Sequence, residues 1–337
     1  MPNPTISDLH LDAPLTNLSV LYSNEMTNTV HDKVFPVVPV QKRSDRYFTY
    51  DVSDWFRSEA KQRAPGAEIA IGGWNLSDDT YYCERDGIGH DISDPERANA
   101  DAAVSNLDAD AVRWITEQLS LKAEKDWVST FFTTGVWNGA SSTTDMTGQS
   151  TAPGSTAANF LQWNDAASNP IEDIRGEMTA IARRTGRKPN TLVLGQEVWT
   201  ALADHPDMLD RIKYTQTGVV TEDLLASLLG LNRVLVGSMV EETGSIEGSS
   251  AAGTMGFVAG KNALLAYVAP SPGLRIPSAG YTFSWIGMPG APTGGRGARI
   301  KSYRLERNES DRIEGEHWKD YKVIGSSLGA FFTAAVA

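Results

Sequence analysis

The sequence predicts an α+β protein of two lobes, and three observations carry that prediction. Residues 170 to 286 alternate helical and strand patterns around short apolar runs, a long amphipathic helical pattern precedes them, and residues 299 to 324 read as strands joined by a turn. At 337 residues the chain can bury a large core and is long enough for two lobes rather than one.

Residues 1 to 45 mix Pro2, Pro4, Pro14, Pro36 and Pro39 with scattered apolar residues, which suits an extended arm lying on another surface. Within it, Val34 to Val40 is apolar but broken by two prolines, a poor central strand and a reasonable strap. From Arg46 to Asp91 the pattern is a long hairpin: Tyr47 to Val52 goes out, Asp79 to Arg85 returns, and Arg57, Lys61 and Arg63 lie between. A two-stranded ribbon is marginal alone in water, so this one needs support from a partner surface.

Asp94-Pro95 predicts a helix start, and Asp108 opens a second, longer helix. Its Val112, Ile115, Leu119, Ala123, Trp127 and Phe131 recur at helical spacing, with Arg113, Glu117, Lys122, Glu124 and Lys125 on other faces. Gly135 to Asn169 is rich in Gly, Ser, Thr and Ala and reads as a loop insertion tacked down by Trp137, Phe160 and Trp163. Ile171, Ile174, Met178 and Ile181 follow helical spacing behind Pro170, with Asn169 able to cap. Thr191 to Leu194, between Pro189 and Gly195, is a buried strand pattern. Thr221 caps a helix striped by Leu224, Leu225, Leu228 and Leu229 and stopped by Gly230; Val234 to Val236 is a second buried strand. Gly290 to Gly297 is a flexible turn, and Arg299 to Arg307 and Arg312 to Ile324 are strands around a turn at Asn308 to Ser310.

Composition excludes several functions. The 42 acidic against 30 basic residues give a formal net charge of −12, without the electrostatic footprint of a protein that grips phosphate backbones. The single cysteine, Cys83, excludes an intramolecular disulfide framework and a multi-cysteine zinc cluster. Met1 to Asp12 has no basic start followed by an apolar core, so no secretory signal is expected. The longest apolar stretches, Ala263 to Ala269 and Leu328 to Ala337, fall well short of the ~20 residues of a membrane helix.

No catalytic constellation emerges from the residues. His10, His31, His90, His205 and His317 are scattered without metal-ligand spacing; His90-Asp91 near Cys83-Glu84 is the densest cluster, on a strand where solvated polar side chains are expected. Gly325-Ser-Ser-Leu-Gly329 matches G-x-S-x-G, yet no Asp, Glu or His follows it, so it reads as a small-residue turn. Gly87-Ile-Gly89, Gly256 to Asn262 and Gly294 to Gly297 complete neither phosphate-loop pattern. No cofactor or metal is expected, and no carboxylate pair is singled out.

The order RKPNTLVLGQEVWTAL from Arg187, HPDMLDRIKY from His205, TEDLLASLLGLNRVLVG from Thr221 and AYVAPSPGLRIPSAGYTFSW from Ala266 resembles the axial domain of tailed-phage major capsid proteins with the Hong Kong 97-like fold. That resemblance implies an N-terminal arm (1–45), an extended loop (46–92), a peripheral domain with a long spine helix (93–168 and 281–318) and an axial domain (169–280 and 319–337). It implies a virion protein assembled in the host cytoplasm, not an enzyme: a homo-oligomer of pentamers and hexamers forming a shell around double-stranded DNA, without membrane contact. Because the chain opens on the arm, a separate scaffolding protein is an expected partner, beside a portal and a decoration protein. Phe35, Arg57, Lys61, Arg63, Trp74 and Arg296 are the inter-subunit contact candidates. Some members of the family join a loop lysine to a peripheral-domain asparagine with help from a glutamate, for which Lys61, Asn308 and Glu309 lie in suitable segments. An encapsulin-like compartment shares the fold, and a soluble α/β enzyme with a site at the lobe interface is the alternative of another class.

Overall fold

The computed structural model describes residues 29–50, 54, 56–66, 68–99, 106–138, 145–151, 158–212, 220–244, 253–273, 276–288 and 297–337. In chain order, β1 (Val37–Val40) is followed by a hairpin of β2 (Ser44–Tyr50) and β3 (Leu76–Tyr82), then by β4 (Glu84–Ser93). Next come α1 (Asp94–Asn99) and α2 (Leu107–Phe131), two short strands, β5 (Met146–Gln149) and β6 (Asn159–Leu161), and α3 (Pro170–Thr185). Then β7 (Thr191–Gly195), α4 (Gln196–Ala203), α5 (Pro206–Ile212), α6 (Glu222–Leu229), β8 (Arg233–Gly237) and a hairpin of β9 (Val240–Thr243) and β10 (Thr254–Phe257) follow. The chain closes with β11 (Ala263–Ala266), β12 (Gly280–Trp285), β13 (Ala298–Leu305), β14 (Ser310–Val323) and β15 (Gly329–Thr333).

Two sheets organise these elements. One has six strands in the order β6-β5-β15-β11-β7-β8, and the other has five, β1-β12-β14-β13 with β4 also on β14. The apolar run of β7 is buried at every residue because it sits inside the first sheet, antiparallel to β11 and parallel to β8. β8 lies at the sheet edge, so only Val234 and Gly237 are fully buried. β14 is the axis of the second sheet: Ser310 to Lys319 pairs with β4, Ser310 to His317 with β13, and Lys319 to Val323 with β12. It runs unbroken through position 318, and after it the chain crosses to β15 of the six-stranded sheet through the turn Ser326–Leu328, where the G-x-S-x-G match lies.

Local chemistry explains the helices. α2 is capped by Asn106, whose side chain accepts the Ala109 N–H at 3.2 Å, two residues before the Asp108 expected from sequence. Val112, Ile115, Ala123, Trp127 and Phe131 are buried as the spacing predicts. α1 starts with a capping box: the Ser93 N–H and hydroxyl donate to Glu96, and the Glu96 N–H donates back to the Ser93 hydroxyl. α3 has Pro170 in its first turn and ends at Gly186 with φ +64°, the left-handed conformation that favours glycine. Thr221 caps α6 by accepting the Leu224 N–H at 3.3 Å.

Three expectations from sequence are corrected. Residues 29–40 of the arm lie on the chain's own body, with Val30, Val34 and Phe35 buried and β1 added parallel to β12 as an edge strand. The edge position is where a strand carrying Pro36 and Pro39 can be tolerated; residues 1–28 lie outside the described residues. The insertion from Gly135 to Asn169 contains β5 and β6, which extend the six-stranded sheet beside β15, with Trp137, Phe160 and Trp163 buried. The hairpin closes at Tyr82; the residues beyond Cys83 form β4 of the five-stranded sheet, so His90 and Asp91 belong to the body.

Candidate functional site

The extended loop and the surfaces around it are where this chain offers the most to a partner. β2 and β3 pair over seven residues each, from Ser44↔Tyr82 to Tyr50↔Leu76, and among the described residues no third strand joins them. The ribbon is braced at its root. Cys83 donates its N–H to Arg43 O at 2.9 Å, Arg43 Nε donates to Cys83 O at 3.1 Å, and the Arg43 guanidinium lies over the Tyr82 ring at 4.6 Å. Tyr81 stacks on Phe283 at 4.6 Å, and the Tyr82 N–H donates to Asp320 Oδ2 at 2.8 Å. Burial pushes the Cys83 thiol up to about 12, so it is no nucleophile at neutral pH. Along the ribbon the Tyr47 hydroxyl donates to Asp79 at 2.7 Å; burial first and this bond second push the Tyr47 hydroxyl far above its ordinary range.

Beyond that brace the loop exposes apolar side chains beside the charged Arg57, Lys61 and Arg63. Ile71 is 95% exposed, Ile69 70% and Trp74 65%, with Phe48, Phe56 and Leu76 also more than half exposed. The tip holds itself in shape by polar contacts: Asp54 accepts the Asn75 N–H at 2.7 Å, and Arg57 bonds Glu59. Fully burying an isoleucine contributes about 2 kcal/mol, so a subunit in solution leaves that stabilisation unrealised at Ile71.

The candidate contact residues divide accordingly. Arg57, Lys61, Arg63 and Trp74 all lie on the exposed loop, while Arg296 lies outside the described residues. Phe35 is 2% exposed and sits among Trp127, Phe131 and Trp137, at ring distances of 6.3, 4.5 and 6.5 Å, so it is committed to the subunit's own core. Asn308 and Glu309 are exposed in the β13–β14 turn, where Glu309 has φ +45°.

Sequence reasoning missed a buried polar junction that anchors the arm. Glu124 on α2, 1% exposed, accepts the N–H of Val30 at 3.1 Å and of His31 at 3.0 Å, and its Oε2 lies 2.9 Å from His31 Nδ1. His31 Nε2 is 3.3 Å from Asp32, which also accepts from Lys319 at 3.1 Å; nearby, His317 Nε2 is 3.3 Å from Asp86. A second missed feature is an apolar groove of about 400 Å³ between α2 and β4, floored by Ile92, Leu107, Ala111 and Trp114. Trp114 is 42% exposed there and packs against the His90 ring at 5.8 Å. Leu107, Ala111 and Trp114 are spaced i, i+4, i+7, a second stripe beside the one read from sequence.

One arrangement resembles a hydrolytic pair, Ser168 Oγ and His205 Nε2 at 3.0 Å. The tautomer runs the wrong way: His205 Nδ1 accepts the Asp207 N–H at 3.1 Å, which leaves the proton on Nε2, facing Ser168 and the Asp165 carbonyl. An imidazole so held cannot take the serine proton. Among the described residues no group of three or more His, Cys, Asp or Glu side chains is placed to hold a metal ion, and no helix is long and apolar enough to cross a membrane.

No protein-family model matches the sequence. The major capsid protein of Burkholderia phage BcepMu is 27% identical over 311 residues, covering 90% of this chain and 91% of that protein. The crystal structure of a phage-related protein from Bordetella bronchiseptica RB50 superposes with a TM-score of 0.69 at 22% identity, covering 97% of this chain and 98% of its own. The mature capsid of bacteriophage PhiM1 superposes with a TM-score of 0.57 at 12% identity, covering 91% and 87%. The chain is thus similar along nine-tenths of its length to a phage major capsid protein, and its fold is the Hong Kong 97-like fold of phage capsids.

Proposed function

We propose that this chain is the repeating subunit of an icosahedral phage head, assembling through its extended loop into pentamers and hexamers around double-stranded DNA. The single observation that carries the reading is the loop itself, a braced two-stranded ribbon with Ile69, Ile71 and Trp74 held out in solvent on a body whose own core is sealed. A side chain 95% exposed at the end of an ordered ribbon is a contact awaiting its second half. Repeating one such heterologous contact around symmetry axes closes a shell, and many weak copies of it become cooperative.

The role asks for no catalytic residue, and the net charge of −12 suits a container whose wall does not adhere to packed DNA. A scaffolding protein, a portal and a decoration protein are the partners this role implies, with assembly in the host cytoplasm. An encapsulin-like shell would share the fold; the likeness that spans nine-tenths of the sequence is to a phage capsid protein, which favours the head.

The test is to express the chain alone and with a co-expressed scaffolding protein, then measure size by light scattering and negative-stain microscopy. Closed shells, sheets or tubes support the reading, and a stable monomer or dimer under both conditions overturns it. Denaturing gels of the same particles test the Lys61 to Asn308 link: a covalent ladder supports it, and monomer alone ends it.

A further inference from the structure

We propose that the Lys319 amine and the Asp32 carboxyl close an intramolecular isopeptide bond that fastens the arm to the body. The inference stands independently of the shell reading and concerns the polar junction beneath residues 29–35.

Lys319 Nζ lies 3.1 Å from Asp32 Oδ1, one bond from the carbon it would attack, across a sequence separation of 287 residues. Both side chains are shielded, at 9% and 18% exposure. Val34 and Phe35 carry the arm into the core just after Asp32, and Tyr321 is buried two residues beyond Lys319 on the same face of β14. Groups held this close away from bulk water react as if at very high concentration. A buried ion pair also bears the desolvation of two charges, and an amide in its place bears neither. A third group meets the same oxygen: His31 Nε2 is 3.3 Å from Asp32 Oδ1, while its Nδ1 lies 2.9 Å from Glu124 Oε2. Among the described lysine–carboxylate pairs, this is the one whose carboxylate also contacts a histidine. Glu124, fixed by the backbone N–H groups of Val30 and His31, accepts from Nδ1 and so turns Nε2 toward Asp32. His31 is thus the acid–base group and Glu124 a positioning residue.

The step balances without a co-reactant. Lys319 passes one proton to Oδ1 across their hydrogen bond, and its lone pair forms the bond to Asp32 Cγ. His31 gives Oδ1 a second proton and recovers one from the nitrogen. The Cγ–Oδ1 bond breaks with its electron pair on oxygen, which leaves as water, and one proton stays on the amide nitrogen.

The test is the intact mass of the full-length chain, purified and then denatured. The expected result is a mass below that of the sequence by one water, with a branched tryptic peptide joining position 32 to position 319. Lys319→Arg should restore the full mass. The full mass in both fresh and aged unmodified protein overturns the bond and leaves an ordinary ion pair. Closure of Asp86 onto the Gly87 nitrogen would lose the same mass without a branched peptide, and that result overturns the bond as well. The roles of the other two groups are read on chain sampled through a cell-free synthesis. Glu124→Gln keeps an oxygen for the two backbone N–H groups, and with an unchanged circular dichroism spectrum it should slow the appearance of the branched peptide by about a hundredfold. Glu124→Asp should recover part of that rate. An unchanged rate in both His31→Gln and Glu124→Gln overturns the roles given to that pair.

Discussion

The subunit body and the extended loop are built on opposite principles. In the body, Trp127, Trp137, Phe35 and Phe131 are each at most 2% exposed, and even its polar side chains Glu124, His31 and His317 are shut away from water with partners. In the loop, side chains of the same apolar kind stand in solvent on a ribbon of two strands. The difference teaches where each kind of information resides. Stability is a property of the body, and on the proposed function the loop serves a state that a single chain cannot reach. Substitutions should separate along that line.

The largest loss is expected at Phe35→Ala. The ring fills the space between α2 and Trp137, and removing it leaves a cavity that aromatic neighbours cannot collapse into, so unfolding free energy should fall by about 3–5 kcal/mol. Urea denaturation of the dissociated subunit measures it. A loss below 1 kcal/mol would show that the arm is not part of the folded core.

Glu124→Ala follows closely. Removing a buried carboxylate that accepts from two backbone N–H groups and faces His31 strands all three, at a cost of about 3 kcal/mol. Hydrogen exchange should accelerate at Val30 and His31 before the rest of the body. Uniform acceleration would mean that the arm and α2 open together.

The same junction makes the body sensitive to acid. Burial, the largest influence, holds the His317 imidazole below its ordinary value, and the hydrogen bond to His317 holds Asp86 below the usual carboxylate range. A histidine with a depressed folded pKa contributes stability above its unfolded value of about 6.5, and that contribution is lost as pH falls toward the folded value. Asp86 acts in the same direction at lower pH, being stabilising above about 3.9 and losing that effect as pH drops through its folded value. Stability should therefore fall between pH 7 and pH 5, with a slope of at most about 1.4 kcal/mol per pH unit from His317. The groups around it are Asp86, Lys319 and His31. His317→Gln should flatten the slope in urea titrations at pH 7.5 and 5.5, and an unchanged slope would assign the effect elsewhere.

Sequence and structure agree where a signal is local and part company where pairing is distant. The stripe of α2, the buried run of β7 and the glycine stop at Gly230 were legible, because periodicity, apolar length and left-handed φ are each written within a few residues. β5 and β6 were not legible. They are three or four residues long in a Gly, Ser and Thr context, and their strand character comes from β15, far along the chain. Phe35 was read as a contact for a neighbour because an apolar residue in a proline-broken run looks unsatisfied until Trp127, Phe131 and Trp137 are brought around it. The loop candidates Arg57, Lys61, Arg63 and Trp74 do sit on an exposed ribbon, yet its most exposed apolar residue, Ile71, was passed over. Two further signals stood in the text: Ser93 and Glu96 spell a capping box, and Leu107, Ala111 and Trp114 spell a second helical stripe.

The smallest effect on stability, and the sharpest test of the contrast, belongs to Ile71→Asp. A side chain 95% exposed loses almost no burial when replaced, so the unfolding free energy of the dissociated subunit should stay within about 0.5 kcal/mol of its original value. Assembly should respond quite differently. A carboxylate carried into an apolar contact must be desolvated without a partner, and that penalty recurs at every copy of a shell. The expected pair of results is an unchanged urea midpoint and the absence of particles by light scattering. A shifted midpoint would mean that the loop is part of the folded body, and normal particles would mean that Ile71 faces solvent in the shell as well. Because Phe35→Ala makes the converse prediction for stability, the two variants measured side by side separate what holds the subunit from what joins subunits.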